Sequence, residues 1–307
     1  MNIVFMGSPE FALPTLQALA DHFTLVGVVT QPDRPAGRGR KLAPPPVKTL
    51  ALELGLPVIQ PRRLKEPEAM AQLAAWQPDV IVVAAFGQIL RKDVLDLPPH
   101  GCLNVHASLL PRWRGAAPIH AAILHGDSQT GVTIMQMDPG LDTGPILSQR
   151  ATPISAHDTA GSLSERLSRM GADLLIETIP SYLSGALRPQ AQDDALATYA
   201  PKLEKTAGEM DFTQPLDALE RQVRAMHPWP GAYLLWEGNR LMVHRATPKG
   251  IPHPLPQGTR LIHEGQPAVA AADGLLLLEE VQPAGKRPMS GHDFLNGARG
   301  WESVSSS

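Results

Sequence analysis

The chain has 307 residues, 43% of them hydrophobic and 19% charged, with a formal net charge of −3. That is the make-up of an ordinary globular protein of one large or two moderate domains, with no global charge signal for nucleic acid. Cys102 is the single cysteine, which excludes an intrachain disulfide. The start, MNIVFMG, lacks a signal-peptide pattern, and the longest apolar runs, such as 80–86, are too short to span a bilayer, so a reducing, cytoplasmic setting is expected.

In chain order, residues 2–6 form a short apolar strand ending at Gly7. Ser8 is expected to cap a helix with Pro9 at its first position, and residues 25–30 form a second strand. This βαβ opening predicts a doubly wound parallel sheet. A dinucleotide site is not supported, because G-S-P-E-F stands where G-x-G-x-x-G would be needed. Residues 31–48, QPDRPAGRGRKLAPPPVK, form a loop that sets Arg34, Arg38, Arg40, Lys41 and Lys48 against Asp33 alone. Such a loop is either solvated surface or a phosphate-contacting arm. Helices are expected at 50–55 and 66–76, with a brief strand at 58–60. The continuous apolar run 79–85 reads as a fully buried parallel strand. Phe86, Gln88 and Ile89 follow its carboxyl end, where open α/β sheets bind ligands.

Residues 101–146 read GCLNVHASLLPRWRGAAPIHAAILHGDSQTGVTIMQMDPGLDTGPI. Asn104 and His106 lie two apart in a β-prone run, so they share one side of a strand. An SLLP turn, Trp113 between two arginines and Gly115 come next, followed by a helical run at 116–125 and an alternating run at 130–137. Asp142 then sits between Gly140 and Gly144. An amide can donate to a developing oxyanion, an imidazole can exchange a proton near neutral pH, and a carboxylate can orient it or take a proton. No Ser or Cys nucleophile is needed, so the nucleophile belongs to a substrate. Taken blind, a lone strand histidine such as His106 is usually a satisfied structural residue, and Asp142 can be a turn residue. His100, His120 and His125 match no zinc spacing, and no metal is expected. Trp113 can stack on a base or pack under the loop; Met135 and Met137 read as core or pocket wall.

Residues 148–153 read as an edge or outer strand, and 160–183 as a long amphipathic helix with Leu163, Leu167, Met170, Leu174, Leu175 and Ile179 toward the core. Periodicity is lost over 185–208, which marks a domain boundary. The expected division is a catalytic domain 1–188, a linker 189–208 and a C-terminal domain 209–307. A helix at 211–227 is followed by regularly spaced short strands, the pattern of a small barrel. The C-terminal part is more acidic than basic, so nucleic-acid contact there needs a local patch, with Arg221, Arg224 and Arg240 as candidates.

Asn104-x-His106 followed by SLLPRWRGAAPI and MDPGLDTGPI resembles the formyltransferase family that uses 10-formyltetrahydrofolate, and the similarity runs over nearly the whole chain. The resemblance implies a Rossmann-like α/β catalytic domain followed by a small OB-like β-barrel. It implies Asn104, His106 and Asp142 as the catalytic set, and folate bound at Ser108, Leu109, Leu110 and Pro111 with Phe86, Gln88 and Ile89. Family members often carry a proline where Arg91 stands. The AGRG loop, the YAPKLEK and PWPGA phrases and the barrel point to the branch that formylates the amine of methionyl initiator tRNA, with Arg38, Arg40, Lys41, Lys202 and Lys205 toward the tRNA. Relatives with the same catalytic set formylate glycinamide ribonucleotide or an amino sugar nucleotide, and a non-catalytic RNA-binding relative is a further alternative. A monomer without a membrane partner is expected.

Overall fold

In the computed structural model the apolar run at 79–85 becomes Val80–Ala84, the middle strand of a seven-stranded sheet, with all five residues buried. The structure describes residues 1–36 and 41–302. The chain divides into two compact units. One comprises Met1–Pro118, Gln129–Pro153 and Ser164–Ala200; the other comprises Ile119–Ser128, Ile154–Leu163 and the chain from Pro201 onward.

The first unit runs β1 (Asn2–Gly7), α1 (Leu13–His22), β2 (Thr24–Val29), an antiparallel pair β3 (Arg34–Ala36) and β4 (Lys41–Ala43), α2 (Pro46–Glu53), β5 (Val58–Ile59), α3 (Pro67–Ala75), β6 (Val80–Ala84), α4 (Lys92–Leu95), β7 (Cys102–His106) and β8 (Arg114–Gly115). The helix α5 (Pro118–Leu124) belongs mainly to the second unit. After it come β9 (Gln129–Gln136), β10 (Ile146–Pro153), α6 (Ala160–Leu183) and β11 (Tyr199–Ala200).

The main sheet has the order β10-β9-β7-β6-β1-β2-β5. Pairings among β5, β2, β1, β6 and β7 are parallel, as the βαβ opening predicts. Strands β9 and β10 add to it antiparallel. The core around Val4, Met6, Val29, Leu73, Ile81, Val83 and Phe86 is apolar and closely packed; each such side chain is worth about 1.5–3 kcal/mol over exposure. Strand β9 is buried from Thr130 to Met135 on both faces, so its sequence alternation does not mark a solvated side. Strand β10 is the outer strand expected, and its alternating burial shows it.

Ser8 does not cap a helix. Its hydroxyl accepts from Gln31 N at 3.1 Å and Thr30 Oγ1 at 3.2 Å and donates to Phe86 O at 3.5 Å. A 3-10 turn, Glu10–Ala12, intervenes before α1, whose first turn holds Pro14 rather than Pro9. The polar groups at the strand ends outcompete the local cap.

The second unit holds α7 (Leu216–Met226), β12 (Ala232–Trp236), β13 (Asn239–Lys249), β14 (Arg260–His263), β15 (Gln266–Ala271), β16 (Gly274–Pro283), β17 (Met289–Ser290) and α8 (Gly291–Gly297). Its strands pair antiparallel in the order β12-β13-β16-β15-β14, with β17 on β16. The two-part fold class expected from sequence is thus observed. Helix α7 begins at Leu216 rather than 211. Asp211 folds the preceding residues into a turn by accepting from Thr213 N at 3.0 Å and Oγ1 at 2.7 Å, and extended Pro215 then sets the helix start.

Candidate active site

Strand β7 places the central pair. It lies between β6 and β9, and all five residues are buried. Asn104 stands opposite Val83 and Met135, and His106 opposite Thr133. Two residues apart, they share one side of the sheet at its carboxyl edge. Asn104 is 9% exposed, and its amide has no hydrogen-bond partner among the described residues. An amide that the chain leaves unpartnered at this edge is open to a ligand.

His106 is 6% exposed, and its Nε2 lies 3.0 Å from Trp113 O. A carbonyl only accepts, so Nε2 carries the proton of this bond and Nδ1 is the nitrogen that faces Asp142. Nδ1 lies 3.7 Å from Asp142 Oδ2. That carboxylate oxygen also accepts the Gly115 backbone N–H at 2.8 Å; nothing bonds Oδ1 among the described residues.

Asp142 has φ +53, a left-handed conformation that costs a non-glycine residue about 1–3 kcal/mol and persists only when surroundings impose it. The imposing contacts are specific. Asp138 Oδ1 accepts from Gly140 N at 3.0 Å and Thr143 Oγ1 at 2.7 Å, closing the turn from within. At Gly144 any side chain would meet Gln136 O. From outside, Gln192 donates to Asp142 O at 2.8 Å and Gly144 O at 2.7 Å.

The Ser108–Pro111 turn hangs on one buried hydroxyl. Thr133 Oγ1 donates to Ser108 O at 2.7 Å and accepts from Leu110 N at 3.1 Å and Gln149 Nε2 at 2.9 Å. Gln149 also donates to Leu110 O at 2.8 Å, and Ser108 Oγ to Arg112 O at 2.6 Å. The Leu110–Pro111 peptide is cis. The Trp113 ring is 6% exposed, with the Arg112 guanidinium 4.4 Å above it, so of the two readings open for Trp113 the structure shows the buried one. Arg114 is buried and ion-paired to Asp194 at 2.7 Å.

At the end of β6, Phe86 is buried, and its carbonyl accepts from Gln31 Nε2 at 3.1 Å. Gln88 commits both ends of its amide to the chain, donating to Pro61 O at 3.2 Å and accepting from Leu64 N at 3.0 Å. Ile89 is 85% exposed. Of these three, Ile89 has an uncommitted side chain.

Arg38 and Arg40 lie outside the described residues, as does the side chain of Lys41. Lys48 pairs with Asp33 at 2.8 Å. Lys202 and Lys205 are exposed on the second unit. There Arg224 is bound to Glu220 at 2.6 Å and Asp158 O at 3.1 Å, Arg221 donates to Leu124 O at 3.1 Å, and Arg240 lies over the Tyr233 ring. Arg221 and Arg224 are therefore structural ties, and exposed Arg240 is the open member of that group. No group of three His, Cys, Asp or Glu suited to a metal occurs among the described residues.

Residues 1–179 match the family model described as formyl transferase, and residues 202–299 match the one described as formyl transferase, C-terminal domain. The chain belongs to the formyl transferase family. The protein of Halorhodospira halophila named methionyl-tRNA formyltransferase is 53% identical over 301 residues, covering 97% of this chain and 96% of its own length. Proteins of the same name from Methylococcus capsulatus and Myxococcus xanthus are 50% and 49% identical, each covering 96% of this chain and 96% and 95% of their own. Among solved structures, the sugar 3N-formyl transferase WlaRD, determined in the presence of dTDP and 5-N-formyl-THF, superposes with a TM-score of 0.67 at 17% identity over 94% of this chain and 99% of its own. HypX of Aquifex aeolicus in complex with tetrahydrofolic acid gives 0.64 at 16% identity, over 99% of this chain and 50% of its own. At those identities the likeness is one of fold.

This formyl transferase chain also uses residues that sequence reading passed over. Gln192 and Thr198 fall in the stretch read as a linker. Yet Thr198 Oγ1 accepts Trp113 N at 2.9 Å, Arg114 N donates to Thr198 O at 2.8 Å, and β11 pairs with β8. The recurring YAPKLEK phrase was the available signal, since its first two residues are β11.

Proposed function

We propose that the chain transfers a formyl group from 10-formyltetrahydrofolate to the α-amino group of methionyl initiator tRNA, giving formylmethionyl-tRNA for translation initiation. The carrying observation is the identity of about one half, across 97% of the chain, to proteins named methionyl-tRNA formyltransferase. The meeting of His106 and Asp142 at the end of the strand bearing Asn104 supports it.

In the proposed chemistry the amine attacks the formyl carbon, and the carbonyl oxygen becomes an oxyanion. Asn104 donates its unpartnered amide to that oxygen, and His106 donates through Nδ1 when protonated there. Asp142 faces the same nitrogen, and its open Oδ1 can take the proton that the amine loses. His106 gives its Nδ1 proton to the leaving folate nitrogen and is then reprotonated from Asp142, so the amine loses one proton, the folate gains one and the step balances. The Ser108–Pro111 turn faces the folate with the Ser108 and Leu109 N–H groups, its carbonyls and Leu110 N being held by the chain, and Phe86, Gln88 and Ile89 form the adjoining wall.

In the proposed organisation the first unit, which runs on to Ala200, carries the chemistry, and the chain from Pro201 onward holds tRNA, with Arg38, Arg40, Lys41, Lys202 and Lys205 meeting phosphates. The setting is cytoplasmic and the enzyme a monomer; no helix among the described residues is long and apolar enough to cross a membrane. Incubation with 10-formyltetrahydrofolate and a panel of charged tRNAs, amino sugar nucleotides and glycinamide ribonucleotide tests the reading. Acylation of the initiator methionyl amine is expected. Transfer to one of the small amines and not to tRNA, or tRNA binding without turnover, would overturn it.

A further inference from the structure

We propose that Gln192 is a positioning residue for formyl transfer, acting through Asp142; the inference rests on the catalytic reading above. Gln192 makes no hydrogen bond to His106 or Asn104. It uses every hydrogen-bonding capacity of its amide: two N–H groups to the carbonyls of Asp142 and Gly144, and Oε1 to Arg114 Nε at 3.1 Å and Nη2 at 2.9 Å. The neighbour of Arg114, Gly115, is the residue whose N–H holds the Asp142 carboxylate. One side chain thereby joins the two segments that aim this carboxylate, the 138–144 turn and the Arg114–Gly115 strand.

The clamp is itself anchored. Gln190 and Ile146 exchange two backbone bonds, at 2.7 and 2.8 Å, just before Gln192, and Arg114 reaches on to Asp194. Asp142 holds its left-handed conformation with its carbonyl tied to Gln192. Without that tie the turn is free to relax, and the carboxylate oxygen leaves its place between Gly115 N and His106 Nδ1. A misplacement of about 1 Å at a reacting group costs on the order of 10²-fold in rate.

The experiment compares full-length wild type, Gln192→Leu and Gln192→Glu, each also in an Asp142→Asn background. The isosteric Gln192→Glu can keep the Arg114 contact while losing both donors to the carbonyls, so it is decisive where Gln192→Leu fails to fold. Expected is a fall in kcat of about 10- to 100-fold, with KM for tRNA and folate within about threefold of wild type. In the Asp142→Asn background the same changes should cost less than about twofold, because coupled residues are non-additive. Equal losses in both backgrounds, or unchanged kcat, would overturn the proposal. Amide hydrogen exchange over residues 138–146 reads the clamp without activity: faster exchange there in the variants is expected, and unchanged exchange overturns it. Wild type that formylates no tRNA would sink the functional reading alone, leaving the exchange result to decide on Gln192.

Discussion

Gly115 N and His106 Nδ1 converge on one atom, Asp142 Oδ2, at 2.8 and 3.7 Å. The backbone donor fixes where the carboxylate sits, and the imidazole meets it there. Gly115 has φ +115, and a Cβ on it would lie 2.6 Å from Ala200 O. Gly115→Ala therefore displaces either β11 or the donor. It should cost about 2 kcal/mol of stability and lower kcat about tenfold or more. Chemical denaturation and steady-state kinetics check this, and a variant with unaltered values for both would show that the site tolerates the shift.

Asn104→Ala should lower kcat about 10²–10³-fold, the usual loss for one oxyanion donor. Its amide makes no bond to the folded chain among the described residues, so the thermal midpoint should scarcely move. Near-normal turnover in a folded Asn104→Ala enzyme would remove this residue from the chemistry.

Thr133→Val keeps the shape and deletes a fully buried hydroxyl. Ser108 O, Leu110 N and Gln149 Nε2 are each deprived of a partner. The expected cost is about 2–3 kcal/mol, at the scale of an unsatisfied buried group. The Ser108–Pro111 turn should loosen, raising KM for the formyl donor more than KM for tRNA. A selective rise in the tRNA value instead would point to a different role for the turn.

Burial, with a smaller contribution from Asp96, pushes the Cys102 thiol up to about 12 from its ordinary 9.0. The unfolded chain ionises first, so this group's stabilising contribution is complete below pH 9 and is lost progressively between pH 9 and about 12. Iodoacetamide should label Cys102 slowly in the native protein at pH 8 and rapidly in denaturant. The stability advantage of wild type over Cys102→Ala should shrink from pH 8 to pH 11. Prompt native labelling would contradict the burial.

Arg38→Glu tests the loop named from sequence. KM for tRNA should rise about tenfold and the salt dependence of tRNA binding should flatten, since removing one cation from a phosphate lowers the slope by about one. Folate KM should stay level; an equal rise in both values would mean that the loop serves the folate side.

Legibility in the sequence tracked the range of the forces involved. Strand β6 was visible because residues 80–83 are all apolar and β-branched, and α6 because its core positions repeat at helical spacing over 24 residues. Asn104 and His106 could be paired by period two alone. Asp142 could not be tied to them from the residues, because its turn could equally serve itself; that link came from the family resemblance. Gln192 and Thr198 were illegible for a different reason. Their bonds reach 50 and 85 residues back, from a stretch with no periodicity. Ser8 failed as a cap for a related cause: tertiary partners 23 and 78 residues away claimed its hydroxyl.

The return of residues 190–200 to the first unit also dictates where the chain can be cut. A fragment ending at 188 would discard Gln192 and Thr198 and leave the Trp113 and Arg114 amides uncapped. One ending just past Ala200 would retain both, together with the β8 pairing. Truncation at those two points, a dozen residues apart, should separate a fragment that lacks the ties to the Trp113 and Arg114 amides from one that keeps them.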